Sequence, residues 1–307
     1  GGGNVSIEAL DGAVTMLSGF SQGYFAVTAQ GIDILSVMAG LDLAALRESD
    51  ILKFTENGHV VLMASQDDVD AARGAQAENG IVDVTDASTL SAEDQWKINV
   101  GTMLATGSSY LSAETEVVYD KATTGADLIV RSNGGSLVSG SATTGGNLRI
   151  SSDGNINFSR NSLYDNVDLD IGGVLEIDGY NVAMRNSNYT FGGLAINADN
   201  AISLQRATLT TRKDENGNNG HMVLSAKELQ TYRTKISAEG TMVLDIDGDL
   251  VNNFNIDAQE DLYILADRFL AQRNVVAGGN LVIGAMDETG AITQSKYLRA
   301  DNRNFTA

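Results

Sequence analysis

The chain of 307 residues contains no proline, no cysteine and a single tryptophan. Average usage would give roughly fifteen prolines in this length, so proline-rich linkers and PxxP ligands are excluded. The missing cysteines exclude a disulfide scaffold, a thiolate zinc site, an iron–sulfur cluster and a cysteine nucleophile. Basic residues are scarce: 20 Lys and Arg stand against 40 Asp and Glu, a formal charge of −20. That balance argues against nucleic acid and anionic membrane as partners. No run approaches the ~20 apolar residues of a membrane span. The opening Gly1-Gly2-Gly3-Asn4-Val5 has no initiator Met, basic n-region or apolar h-region, so no signal peptide is read there. The chain is expected to be a piece of a longer polypeptide.

What is present is a repeat. The segments beginning at Ile236, Ile256 and Val275 share the pattern [I/V]-x-A-x-x-x-[L/M]-x-[L/I]. Their alanines, Ala238, Ala258 and Ala277, are 20 and 19 apart, as are Met242, Leu262 and Leu281. The same interval separates Leu148 from Val167, Leu175 from Leu194 and, at 20, Val5-Ser-Ile7 from Phe25-Ala-Val27. Between about 40 and 125 the period blurs, although Leu90 and Leu111 still open matching Leu-Ser-Ala-Glu runs 21 apart. Within each repeat apolar and polar residues alternate, which predicts strands of three to five residues. Turns rich in Gly, Asn and Asp separate them, as at Asp247-Gly248-Asp249 and Gly278-Gly279-Asn280. The one helical signal is Val69–Glu78 after Ser65-Gln-Asp-Asp, with a loop equally open there.

A repeat period of 19–20 with two or three short strands predicts an all-β solenoid, a parallel β-helix whose coils bury their inward residues against one another. The absent prolines then have a physical reason, because a strand paired above and below must donate its N–H. We expect one β-helical segment over 1–307, less regular over 36–125. That span holds 15 acids and five bases, half the net charge of the chain. It is expected to stay in the stack, to carry the longest excursions and to present any partner surface.

The run Gly248–Ala266, followed by Val276-Ala-Gly-Gly-Asn-Leu-Val-Ile283, resembles the repeats of filamentous-haemagglutinin-type exoproteins. The likeness is best over about 126–300, weaker over 1–35 and poor over 36–125. Members of that family are large two-partner-secreted proteins of Gram-negative bacteria: adhesins, haemolysins and contact-dependent inhibition effectors. The resemblance implies a right-handed β-helical rod, exported unfolded through a partner outer-membrane transporter and secreted or held at the cell surface. It implies a structural shaft presenting a distal domain to a host or neighbouring-cell receptor or glycan, and no enzyme. Neither the secretion domain of the family nor a toxin domain is recognisable, which fits an internal shaft segment. Two other readings stay open: a β-helix carbohydrate-active lyase or hydrolase, and a receptor-binding segment centred on 36–125.

Few residues offer chemistry. Asp245, Asp247 and Asp249 alternate on one strand and are candidate ligands for Ca²⁺, which takes oxygen donors; polar outward residues of an acidic solenoid would read the same way. No other metal ligand, cofactor site or catalytic residue is assigned. His59 and His221 sit in matching frames, Asn57-Gly-His-Val-Val-Leu62 and Asn219-Gly-His-Met-Val-Leu224, and are read as a repeated turn. Lys213–Gly220 stretches one repeat, since Leu194 and Met222 are 28 apart; its Gly and Asn content predicts a flexible protrusion. Trp96 is placed on a strand over 95–99, either closing a core layer or stacking on a sugar. Asn161, Asn181, Asn252, Asn253 and Asn274 recur near strand ends and are expected to hydrogen-bond from coil to coil.

Overall fold

The computed structural model describes residues 3–40, 58–78, 96–158, 167–186, 188–218, 220–286, 289, 291–294, 297–300 and 305–306. The protein is nearly all β, a long, mostly parallel sheet of many strands consistent with a β-helix. Its residues divide into two compact units, 1–154 and 155–307.

In the first unit each stretch of strand lies parallel to the one roughly a repeat further on. Val5–Met16 pairs with Phe25–Ala39 in the register Val5↔Phe25. Ser109–Ala113 pairs with Leu128–Ser132, and that strand with Leu148–Phe158, in the registers Ser109↔Leu128 and Leu128↔Leu148. Aligned registers stack like on like. Phe25, Val60, Leu111 and Val130 are all buried, as are Val27, Leu62 and Ala29. Each such aliphatic residue stabilises the stack by about 1.5–3 kcal/mol through burial.

The described part of 36–125 lies in these same ladders. Phe25 pairs with Val60 at an offset of 35, and Gly31 with Lys97 at 66. The strands on either side of the extra residues stay in register. The second of these departures opens with a helix, Gln66–Glu78. Ser65 caps it: its Oγ accepts the Asp68 N–H at 3.2 Å and its hydroxyl donates to the Asp68 carboxylate at 2.5 Å. That reciprocal pair holds the first turn, Asp67 and Asp68 complement its dipole, and Val69 is fully buried. Leu90 lies outside the described residues.

In the second unit Met242–Asn252, Leu262–Ala271 and Leu281–Met286 pair in sequence, with Met242↔Leu262 and Leu262↔Leu281. The alanine column Ala238, Ala258 and Ala277 runs beside it. Tyr189 and Phe191 stack at 6.3 Å between ring centroids inside the unit. The only antiparallel pair among the described residues joins Ala285–Met286 to Ile292–Thr293.

Strands are longer than the three to five residues expected, reaching 18 in Asn188–Gln205. The reason is that the ladder continues around corners. Each corner is a register shift, as between Ile171 and Val174 or between Gly179 and Asn181. The alternation read from sequence therefore belongs to the faces, and the bulges between faces do not end the hydrogen bonding.

One polar pair is sealed in the core of the first unit. The Tyr119 hydroxyl lies 2.6 Å from Ser139 Oγ, whose own hydroxyl donates to the Gly140 carbonyl at 3.2 Å. Ser139 has one proton to give, so Tyr119 donates to it. Burial pushes the Tyr119 phenol up to about 12, and the contact with Ser139 offsets this only in part.

Candidate functional site

In the second unit an excursion leaves the ladder after Thr211 and returns at Met222. Leu194 pairs with Met222, an offset of 28, whereas Leu175 pairs with Leu194 at 19. The loop is tied down. Asp214 Oδ1 accepts the N–H groups of Asn216 and Asn218 at 2.9 and 2.8 Å, and the Asp214 carbonyl accepts that of Gly217. Gly217 and Gly220 take left-handed φ values of 80° and 76°, which glycine adopts at least cost. Thr211 Oγ1 donates to the Gly220 carbonyl at 2.6 Å and closes the neck. The flexible protrusion expected from composition is thus a built turn: the Asn and Gly residues that suggest slackness are the ones an Asx turn uses.

Beneath the loop lies a cleft of about 170 Å³, lined by Ile171, Gly172, Thr190, Gly192, Arg212 and Lys213 among others. Its lysine is paired. Lys213 pairs with Glu260, its backbone N–H donates to Glu239 at 2.9 Å, and Thr241 reaches Glu260 at 3.4 Å. The Lys213 hydrogen bond holds the Glu260 carboxyl below the usual carboxylate range. The Asn218 N–H does the same for Asp214. Acids held this way are poor proton donors near neutral pH.

The three aspartates expected as calcium ligands separate at a corner. Asp249 turns to Arg268, whose Nε donates to its Oδ1 at 2.6 Å, and that bond lowers its carboxyl. Asp245 stays with Asp247; partial burial first and the Asp247 charge second push it up. In register Asp245 sits between Ser225 and Leu265, so neither neighbouring layer adds an acid or a base beside it. Among the described residues, no three His, Asp or Glu side chains are grouped to hold a metal ion.

The matching histidine frames perform one task twice. His59 Nδ1 accepts the Ser108 N–H and His221 Nδ1 accepts the Thr241 N–H, both at 3.0 Å. Three other side chains occupy the same position, immediately before the first residue of a strand. Asn4 accepts from Tyr24 at 3.1 Å, Asp127 from Asn147 at 2.7 Å and Asp261 from Asn280 at 2.7 Å. Each acceptor lies over a glycine in the layer it bonds to: Gly23, Gly107, Gly146, Gly240 and Gly279. A Cβ there would come within 2.0–2.7 Å of the acceptor side chain. Gly3, Gly58 and Gly220 stand at the same place in three of the acceptor layers themselves. The signal was in the sequence as Gly-x before most of these strands.

Of the asparagines, Asn181 bridges two layers: its Nδ2 donates to Asn155 at 2.8 Å and its Oδ1 accepts from Asn200 at 2.9 Å. Asn253 bonds instead to Thr231, and the Asn274 carbonyl accepts the Ile256 N–H. Asn161 lies outside the described residues, as does the side chain of Asn252. Trp96 is not on a strand. It sits half-buried in the turn before Lys97–Ala105 with φ of 62°, its N–H on the Gln30 carbonyl and its carbonyl taken by Thr115. Tertiary bonds to two layers outweigh the strand pattern of its neighbours.

Among the described residues, no helix is long and apolar enough to cross a membrane. Comparison of the chain with protein-family models, with curated proteins and with solved structures finds no match.

Proposed function

We propose that this chain is a load-bearing shaft segment: a right-handed β-helix with a coil period of 19–20, part of a large secreted or cell-surface exoprotein of a Gram-negative bacterium. The observation that carries the reading is the ladder itself. Parallel strands repeat in steps such as Leu175↔Leu194, Met242↔Leu262 and Val117↔Leu137, with apolar columns in register. Right-handed connection between parallel strands of one sheet is the strongly preferred hand, which supports that choice here. Side chains as well as backbone bond layer to layer, so tension is shared.

The repeats are similar to those of filamentous-haemagglutinin-type proteins, and the shaft would hold a distal binding or effector domain away from the cell. A chain without cysteine or proline folds with no disulfide or prolyl-isomerisation step. That suits folding after export through an outer-membrane transporter of the two-partner type. The partner of the displayed domain is a receptor or glycan on a host or neighbouring cell. The polysaccharide-cleaving alternative needs a proton donor beside its groove, and the acids at the cleft, Asp214 and Glu260, are held below the usual carboxylate range by Asn218 and Lys213.

Pulling a single molecule by its two ends tests the shaft. Layers should be released in steps of one coil, about 65 Å of chain at ~3.3–3.6 Å per residue. Release of the whole chain in one step at low force would overturn the reading. Cleavage of a polysaccharide by the purified protein would replace it with the enzymatic one.

A further inference from the structure

One corner of the second unit departs from the charge of the whole chain. Arg206 and Arg233 are equivalent residues of successive layers, each following one of the paired residues Gln205 and Tyr232. The Arg206 N–H donates to the Tyr232 carbonyl at 2.7 Å. Both arginines are exposed, and both take left-handed φ values, 52° and 51°. The layer before them carries Asn186 at this place, with φ of 53°. Asparagine and glycine are the residues that enter that region readily. Arginine there, twice in succession, costs backbone strain that the corner itself does not require.

The surroundings agree in sign. The five windows 183–188, 203–208, 230–235, 250–255 and 269–274 contain no Asp or Glu and five bases, in a chain where acids outnumber bases two to one. The bases are Arg185, Arg206, Arg233, Lys235 and Arg273. The buried Nε of Arg185 has no hydrogen-bond partner among the described residues. The Tyr232 ring is 51% exposed, with the Arg233 guanidinium 5.3 Å from its centroid. Gln205, Gln230 and Gln272 are exposed beside them.

We infer that this corner binds a linear polyuronate, a polysaccharide bearing a carboxylate on each sugar. Arg206 and Arg233 stand one layer, ~4.8 Å, apart in one column, and Arg185 stands one layer before them in the adjoining column of Gln205 and Tyr232, so the cations spread along the stack. A point anion would instead need donors that converge. Guanidinium forks match carboxylates in two-bonded pairs, the exposed amides serve sugar hydroxyls, and the Tyr232 face receives a pyranose ring. The inference does not rest on the load-bearing role: a failed binding test leaves the pulling experiment untouched.

The test is binding of a ten-residue oligouronate to the whole chain at low ionic strength, beside a neutral and a sulfated oligomer of equal length. The variant is Arg206→Asn with Arg233→Asn, which keeps a residue suited to left-handed φ. The control is Arg131→Asn, an exposed base of the first unit. The double variant should bind the oligouronate at least tenfold more weakly with an unlowered thermal midpoint, and the control should bind as the wild type does. No binding by the wild type, equal binding by the double variant, equal loss in the control, or tighter binding of the sulfated or neutral oligomer would each overturn the proposal.

Discussion

The two units stack strands by the same rule and fill their interiors differently. Among the described residues, ten of the twelve buried polar ones belong to 1–154, from Ser21 to Ser152, and two, Thr211 and Thr234, to 155–307. Large fully buried rings run the other way: Phe158, Phe191, Tyr189 and Phe269 against Phe25 and Tyr119. Charge differs too. Residues 1–154 carry 20 acids and seven bases, and 155–307 carry 20 and 13. The first unit lines its corners with hydroxyls that bond to backbone, as Ser132 does to Thr115 and Ser152 to Gly135. Its registers also contain the two largest offsets among the described strand pairs, 35 and 66. The second fills with aromatic and aliphatic columns and stays regular. Small hydroxyls satisfy backbone carbonyls at the corners, while large rings need an uninterrupted register to pack against.

The sharpest way to break this comparison is to cut the regular unit. Removing Ile256–Asn274, one full period, places Val275, Ala277 and Leu281 where Ile256, Ala258 and Leu262 stood. The core keeps its residue types, and the expected loss is about 1–3 kcal/mol from the missing Lys213–Glu260, Asp249–Arg268 and Asp261–Asn280 pairings. Removing only Ile256–Leu265 shifts later residues out of register and buries charges such as Asp267, a cost near the ~5–15 kcal/mol margin of a domain. Circular dichroism and size exclusion should show a folded monomer for the first and aggregate for the second. Similar behaviour of the two would refute the period.

Phe191→Ala empties a ring-sized space in the aromatic interior and should cost about 3–5 kcal/mol, read as a shift of the urea midpoint.

The first unit should instead be sensitive to alkali. The Tyr119 phenol is raised to about 12 in the fold and lies near 10 when unfolded. Its stabilising contribution is therefore complete below pH 10 and lost as the pH rises through 12, by roughly 2–3 kcal/mol in all. Tyr119→Phe should remove this part of the alkaline loss, and an unchanged pH dependence in urea melts would count against the buried phenol. Ser139→Ala leaves that hydroxyl without its acceptor in the core and should cost about 1–3 kcal/mol at neutral pH.

The smallest effect probes what the units share. His221→Asn keeps an acceptor over Thr241, as Asn4 does over Tyr24, and should change stability by less than ~0.5 kcal/mol; His221→Leu should cost about 1 kcal/mol. Equal losses in thermal melts would deny the bond.

The period and the apolar columns were legible because a buried position tolerates only a few residue types, so Ala238, Ala258 and Ala277 announce themselves. The helix was half legible through its cap at Ser65, though not decided. The aspartates were harder. Alternation placed Asp245, Asp247 and Asp249 together, but a bulge between Ile246 and Asp249 turns the chain, and a bulge has no period to read. Trp96 misled because its turn is fixed by Gln30 and Thr115, both distant in sequence. The arginine corner was invisible because left-handed φ at Arg206 and Arg233 contradicts what local residue preference predicts.

The glycines of the strand-opening corner bear on how such a chain lengthens. An acceptor such as His221 or Asp261 needs glycine in the layer above it, and Gly240 and Gly279 supply it. Copying the His59 or His221 layer alone would set Gly58 or Gly220 over the acceptor and keep the bond. Copying the Asp127 or Asp261 layer alone would set Ala126 or Glu260 there, each with a Cβ in the way. Layers that carry both glycine and acceptor can therefore be duplicated singly, and the aspartate layers are duplicated only together with a glycine layer.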